Sequence, residues 1–162
     1  TAFYNVLVDS DDMNEPITDA VRGILDGHIV LSRKLAQAYH YPAIDVLASI
    51  SRLSKRVTGK MTQKACSKIR TLMATYQNNE AAIVSGIYEK GNSPIIDKAI
   101  EMHGPIEEFL TQEEYEPSSM EETLDKLSSL SDIKIPEYEY AEFVDKTKEQ
   151  NQNIIEVENE EV

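Results

Sequence analysis

The sequence predicts an α/β segment, a small all-α domain and a disordered acidic tail, in that order. Three observations carry this. As far as Arg52, apolar β-rich runs alternate with amphipathic helical runs. Beyond Arg52 the apolar residues recur only at helical spacing, and from Ser131 onward no period fits. Strand, helix, strand, helix in succession implies a parallel sheet, whose ligands sit at the C-terminal ends of its strands. The expected divisions are residues 1–58, 59–130 and 131–162.

The first run, Phe3-Tyr4-Asn5-Val6-Leu7-Val8, reads as a strand. The chain opens on Thr1 rather than Met, so this strand is expected to be an interior strand of a larger sheet, cut from its neighbours. Unpaired, it would leave a ladder of N–H and C=O groups without partners. Asp9 to Asp12 form an acidic turn, and Pro16 suits a first helical position because its missing N–H is not needed there. Ile17, Ala20, Val21, Ile24 and Leu25 then lie at i, i+3, i+4, i+7 and i+8, the spacing of one buried helix face. Asp26-Gly27 stops that helix. His28-Ile29-Val30-Leu31 reads as a second strand, followed by a short helix over residues 35–39 and an extended piece over 42–46.

In the helical part, Ala65, Ile69, Leu72, Met73 and Tyr76 share a face and Asn78-Asn79 marks a turn. Residues 81–87 are apolar enough to be largely buried. Ser93-Pro94 opens a further helix through a cap and a first-turn proline, and Gly104-Pro105 is expected to break it. Ser119-Met120-Glu121-Glu122 is a capping box for a last helix carrying Leu124 and Leu127. Residues 131–162 hold ten acids against three lysines, a net of −7 out of the −13 of the whole chain. Tyr138, Tyr140 and Phe143 are the aromatics of this tail, either incidental or able to dock on a partner.

A net charge of −13 has the wrong sign for nucleic acid, whose phosphates need clustered Lys and Arg. The single cysteine, Cys66, cannot form an internal disulfide and fits a reducing compartment. No apolar run approaches the roughly 20 residues that cross a bilayer, and no secretory signal pattern is present. A cytoplasmic location is the expectation.

Arg52 ends the α/β pattern. A guanidinium is always charged and offers forked donors, so an arginine here either makes a surface ion pair or reaches a phosphate. Tyr41 precedes Pro42 at a strand entrance, where a core tyrosine is the ordinary reading. Asp45 either orients Arg52 or finishes the strand, and Arg33 suits a structural ion pair. His28, His40, His103 and Cys66 have no metal-ligand spacing, and Met61, Met73 and Met102 suit ordinary packing. Asp9, Asp11 and Asp12 are explained by the dipole of the helix that follows. A phosphate cradle needs Gly-x-x-x-x-Gly-Lys-Ser/Thr. The nearest approach, Gly59-Lys60, has Ser54 at the first Gly position and Met61 at the hydroxyl position.

Together, Asp11-Asp12-Met13-Asn14-Glu15-Pro16-Ile17, Asp26-Gly27-His28-Ile29-Val30-Leu31-Ser32-Arg33 and His40-Tyr41-Pro42-Ala43-Ile44-Asp45-Val46-Leu47-Ala48-Ser49-Ile50-Ser51-Arg52 resemble the end of the nucleotide-binding domain of the flagellum-specific and type III secretion export ATPases. These enzymes are related to the catalytic subunits of rotary ATP synthases. Tyr88-Glu89-Lys90-Gly91-Asn92-Ser93-Pro94-Ile95-Ile96-Asp97-Lys98-Ala99-Ile100 resembles the family's helical C-terminal domain, and the likeness runs to Leu130.

The resemblance implies the end of a RecA-like parallel-sheet domain within a cytoplasmic homohexamer. That hexamer would hydrolyse ATP with Mg²⁺ to energise protein export, peripheral to the membrane export gate. Its implied partners are the stalk and regulator proteins of the export apparatus, with export chaperones and cargo on the helical domain. It makes Arg52 the arginine finger acting in trans and Tyr41 the residue that stacks on adenine, with no metal ligand in the chain. With no phosphate cradle, the chain alone is expected to be inactive and to need no cofactor. The alternatives are an injectisome ATPase, a rotary synthase subunit, or a non-catalytic module that regulates such a hexamer.

Overall fold

In a computed structural model the described residues are 2, 4–8 and 16–140. The order is α1 (Pro16–Ile24), β1 (Gly27–Leu31), α2 (Arg33–Gln37), β2 (Ile44–Ser51), α3 (Ser54–Val57), α4 (Lys60–Val84), α5 (Pro94–Leu110) and α6 (Met120–Ser131). Residues 4–8, expected as a strand, form no regular element, because no neighbouring strand among the described residues pairs with them. The acidic turn over residues 9–12 and Phe143 lie outside the described residues.

The expected parallel sheet is replaced by an antiparallel pair. β1 and β2 run in opposite directions, with Gly27 opposite Ser51 and Leu31 opposite Ile44. The physical reason is the connection. α2 has only five residues, about 7.5 Å of rise, and cannot carry the chain back along the eight-residue β2, so the chain turns round instead. α2 also starts earlier than expected, because the Ser32 hydroxyl accepts from the Leu35 N–H and caps it.

Between His28 and Val30 the pairing slips, and residues 46–49 of β2 bulge out of register. Side chains satisfy the bulge. Asp45 accepts from the Ala48 N–H at 2.8 Å, and the Ser49 hydroxyl accepts from the Val30 N–H at 3.0 Å. Arg70 of α4 donates to the carbonyls of Val46 at 2.5 Å, Leu47 at 3.1 Å and Ser49 at 3.5 Å. One guanidinium thereby joins the β pair to the helical part.

The core is helical. Ala65, Ile69 and Leu72 of α4, Ala99 and Ile106 of α5, Leu124 and Leu127 of α6, and Ile135 are buried together. Positions 65, 69 and 72 stand at the i, i+4, i+7 spacing that puts them on one face. α4 does not turn at Asn78-Asn79; the Asn79 side-chain amide donates to the Thr75 carbonyl one turn back, and the helix continues to Val84. It stops at Ser85-Gly86. Gly86 has φ 71°, with Gly86 N–H on the Ile83 carbonyl and Ile87 N–H on the Ala82 carbonyl, the Schellman arrangement that a left-handed residue permits.

Residues 81–87 are not largely buried: Val84 and Ile87 are exposed. α1 likewise shows Ile24 to solvent rather than a fully covered face. α5 runs through Pro105 to Leu110, because Ala99 and Ile106 on either side of the proline are seated in the same core. The capping box of α6 is formed as expected, with Ser119 Oγ accepting from the Glu122 N–H and Glu122 accepting from the Ser119 N–H.

The tail expected from Ser131 is packed as far as Tyr140. Asp132 ends α6 in a left-handed conformation, φ 52°, and Ile135 enters the core. Glu139 is 2% exposed. Its carboxylate accepts from the Met61 N–H at 2.9 Å, the Thr62 N–H at 2.8 Å and the Thr62 hydroxyl at 2.7 Å. Gly59, at the N-cap of α4, has no side chain to cap with. A Cβ there would collide with the Glu139 carboxylate. Glycine leaves the helix start open, and a carboxylate from the far end of the described chain fills it.

Candidate functional site

β2 carries the two candidate residues, one beyond each end. Tyr41 lies three residues before the strand, half exposed, with its carbonyl accepting from the Gln112 N–H at 2.9 Å. It is not the core tyrosine that its position before Pro42 suggested. The loop is held from behind by His40, whose buried ring sits 3.0 Å from Glu107 of α5.

Arg52 directly follows the strand and is exposed. Its backbone N–H donates to the Asp26 carbonyl at 2.8 Å. Its guanidinium donates through Nη1 to the Gly23 carbonyl at 3.3 Å and through Nη2 to the Arg22 carbonyl at 3.2 Å. These are carbonyls of the last turn of α1, the negative end of that helix dipole, so the cation is placed electrostatically as well as by geometry. A guanidinium has five N–H donors and these contacts use two.

The remaining candidates do other work. Asp45 bonds the Ala48 N–H within the bulge and is not an orienting partner of Arg52. Arg33 is exposed on α2, and His28 meets the Ala48 carbonyl at 3.2 Å. His103 stacks on Tyr76 with ring centroids 3.7 Å apart. No group of three or more His, Cys, Asp or Glu among the described residues could hold a metal ion. No described helix is long and apolar enough to cross a membrane.

Tyr41 and Arg52 are not brought together. The ends of β2 stand opposite Leu31 and Gly27, four residues or about 13 Å apart along β1, because residues 46–49 bulge out of the ladder. Arg70 and Glu139 were missed by sequence reasoning. Arg70 adjoins Ile69 on the buried stripe of α4, a faint signal, whereas nothing local marks Glu139 out from the other tail acids.

Comparison with known proteins fits this layout. Residues 1–51 match the ATP synthase alpha/beta family, nucleotide-binding domain, and residues 58–129 match the T3SS EscN ATPase C-terminal domain. The chain thus matches one family model over its first part and the other over its second, and it is similar to type III secretion and flagellum-specific export ATPases.

It is 49% identical over 137 residues to the type 3 secretion system ATPase of Pseudomonas savastanoi pv. phaseolicola, covering 85% of this chain and 30% of that protein. It is 50% identical over 135 residues to the flagellum-specific ATP synthase of Treponema pallidum, covering 83% and 30%. The assembled ATPase EscN of enteropathogenic E. coli superposes with a TM-score of 0.75 at 43% identity, covering 78% of this chain and 31% of that one. In complex with its central stalk EscO, EscN superposes at 0.68 with 42% identity over 72% and 29%. The chain spans about 30% of the length of the curated relatives it matches.

Proposed function

We propose that this chain provides the arginine side of a composite ATP site in a ring-forming export ATPase, with Arg52 acting on the nucleotide of a neighbouring subunit. The observation that carries the reading is the exposed guanidinium of Arg52, set by two carbonyls of α1 with donors to spare. During phosphoryl transfer negative charge spreads over the transferred group, and a pre-placed arginine stabilises that charge more in the transition state than in the ground state.

Tyr41 takes the adenine of a different nucleotide, the one bound on its own side of the subunit. The strand between the two residues supports this, since Tyr41 precedes β2 and Arg52 follows it, which sets them beyond opposite ends of the paired segment. Bound Mg²⁺ would neutralise phosphate charge, and neither the metal ligands nor the phosphate cradle belong to the assignment made for these residues. On this reading the chain by itself hydrolyses no ATP. The whole protein is a homohexamer at the cytoplasmic face of an export gate, with stalk and regulator proteins as partners and chaperones and cargo meeting residues 59–130. EscN, solved as an assembly and with its central stalk, supports the ring and stalk parts by likeness.

The test replaces Arg52 by Lys in the full-length protein. The expected result is a kcat lower by ~10³-fold or more with KM changed far less, because lysine keeps the charge but loses the fork. An unchanged kcat removes Arg52 from the chemistry.

A further inference from the structure

In a chain of net charge −13, one groove between α4 and α5 has the opposite sign. It has a volume of about 470 Å³ and is lined by Lys64, Ser67, Lys68, Thr71, Ile95 and Lys98. Lys98 pairs with Glu101 at 2.8 Å. Neither Lys64 nor Lys68 has an acidic partner among the described residues. Two amines side by side over an apolar floor repel one another and attract an anionic segment.

We propose that the occupant is the chain's own acidic end, residues 141–162, laid along the α4–α5 groove. Three observations meet here. The first is charge: that stretch carries seven acids, Glu142, Asp145, Glu149, Glu156, Glu158, Glu160 and Glu161, against Lys146 and Lys148.

The second is the point of departure. Glu139 is pegged into the first turn of α4 through the Met61 and Thr62 N–H groups. Met61, Lys64, Lys68 and Thr71 stand at i, i+3, i+7 and i+10, one stripe along the helix. The chain therefore leaves its last described residues beside the N-terminal turn of α4, with Tyr140 donating to Asp125 of α6, and Lys64 lies one turn further along α4. From Met61 to Thr71 the stripe rises about 15 Å.

The third is reach. The remaining stretch, extended, spans about 70 Å, several times what is needed. Tethering at Glu139 makes the encounter intramolecular, so weak exposed charge pairs suffice to fill the groove. The tail then acts as a built-in competitor for any acidic segment presented to α4 and α5.

The test uses the full chain. Zero-length carbodiimide coupling joins a carboxylate to an amine only when they touch, and mass spectrometry locates the joined peptides. The expected couplings run from Glu156, Glu158, Glu160 and Glu161 to Lys64 or Lys68 within one molecule. Mixing isotopically light and heavy protein separates these from couplings between copies. A second measurement follows the rate at which each lysine is acetylated by a small reagent. With Glu142, Glu149, Glu156, Glu158, Glu160 and Glu161 each replaced by Gln and Asp145 by Asn, Lys64 and Lys68 should react about threefold faster, the scale of exposed ion pairs. Lys55 on α3 serves as the control and should not change. Salt at 1 M, where the screening length is about 3 Å, should bring the unaltered chain to the same rates. Equal rates in both proteins at low salt, couplings spread evenly over all lysines, or couplings only between copies would each overturn the proposal.

Discussion

The β half and the helical half are built to different standards of self-sufficiency. Among the described residues every buried apolar one, from Ala65 to Ile135, belongs to α4, α5, α6 or the segment after them. In the β half the buried side chains among the described residues are Thr18 and His40, while Ile24, Ile29 and Leu31 are largely exposed and Ile50 is half exposed. A helix bundle can close a core from its own three faces, whereas a two-stranded ribbon cannot. The half that carries Tyr41 and Arg52 depends on borrowed contacts, chief among them Arg70 and Glu107 from the helical half.

That contrast can be broken at either end. The largest stability effect is expected in the helical core. Replacing Ile106, 2% exposed, by Ala should destabilise the chain by about 2–5 kcal/mol, read as a shift of the denaturant midpoint. The same truncation at Ile50, 49% exposed, should change the midpoint little. Equal losses at the two sites would remove the distinction between the halves.

Arg70→Met tests the seam. It keeps the aliphatic stem and strands up to three carbonyls of the bulge, at a cost of about 1–3 kcal/mol. Amide exchange should quicken over β1 and β2 more than over α5. Uniform quickening would mean that Arg70 serves the helical core and not the seam.

The smallest effect is expected at Glu139. Burial raises the pKa of its carboxyl, but the hydrogen bonds from Met61 and Thr62 outweigh that and hold it below the ordinary 4.5. A depressed folded pKa means the contribution is present above about that pH and is lost as pH falls through the lower folded value. The Thr62 amide resonance should therefore move in acid at a midpoint below 4.5. Glu139→Gln, which keeps the shape and removes the charge, should cost about 1 kcal/mol and abolish that titration. A Thr62 titration that survives Glu139→Gln would assign it to another group.

Much of this was legible in the sequence where a local rule decides the outcome. Pro94 and the Ser119–Glu122 box gave helix starts because a first-turn proline and a capping box are settled within four residues, although the Ser93 side chain makes no cap hydrogen bond. The stripe of Ala65, Ile69 and Leu72 was readable because helical spacing alone puts those residues on one face. Gly104-Pro105 misled because Ala99 and Ile106 on either side of it sit in one core, and Asn78-Asn79 because the Asn79 amide bonds the Thr75 carbonyl and the helix runs on. The strand direction was hidden by the shortness of α2, which forces a return rather than a crossover.

For the site, the positions of Tyr41 and Arg52 could be read from the chain, but their separation by the full length of β2 could not. The partners of Arg70 and Glu139 are more than 20 and 70 residues away, beyond any local pattern.

The central claim is that Arg52 acts across a subunit boundary, and mixed rings test it most directly. Full-length subunits bearing Arg52→Ala are combined with subunits inactivated in their own phosphate loop, each inactive alone. A loop-defective subunit still presents Arg52 to an Arg52→Ala neighbour whose loop is sound, so phosphate release should reappear in verified mixed rings and peak at intermediate ratios. Mixed rings with no activity at any ratio would contradict action in trans.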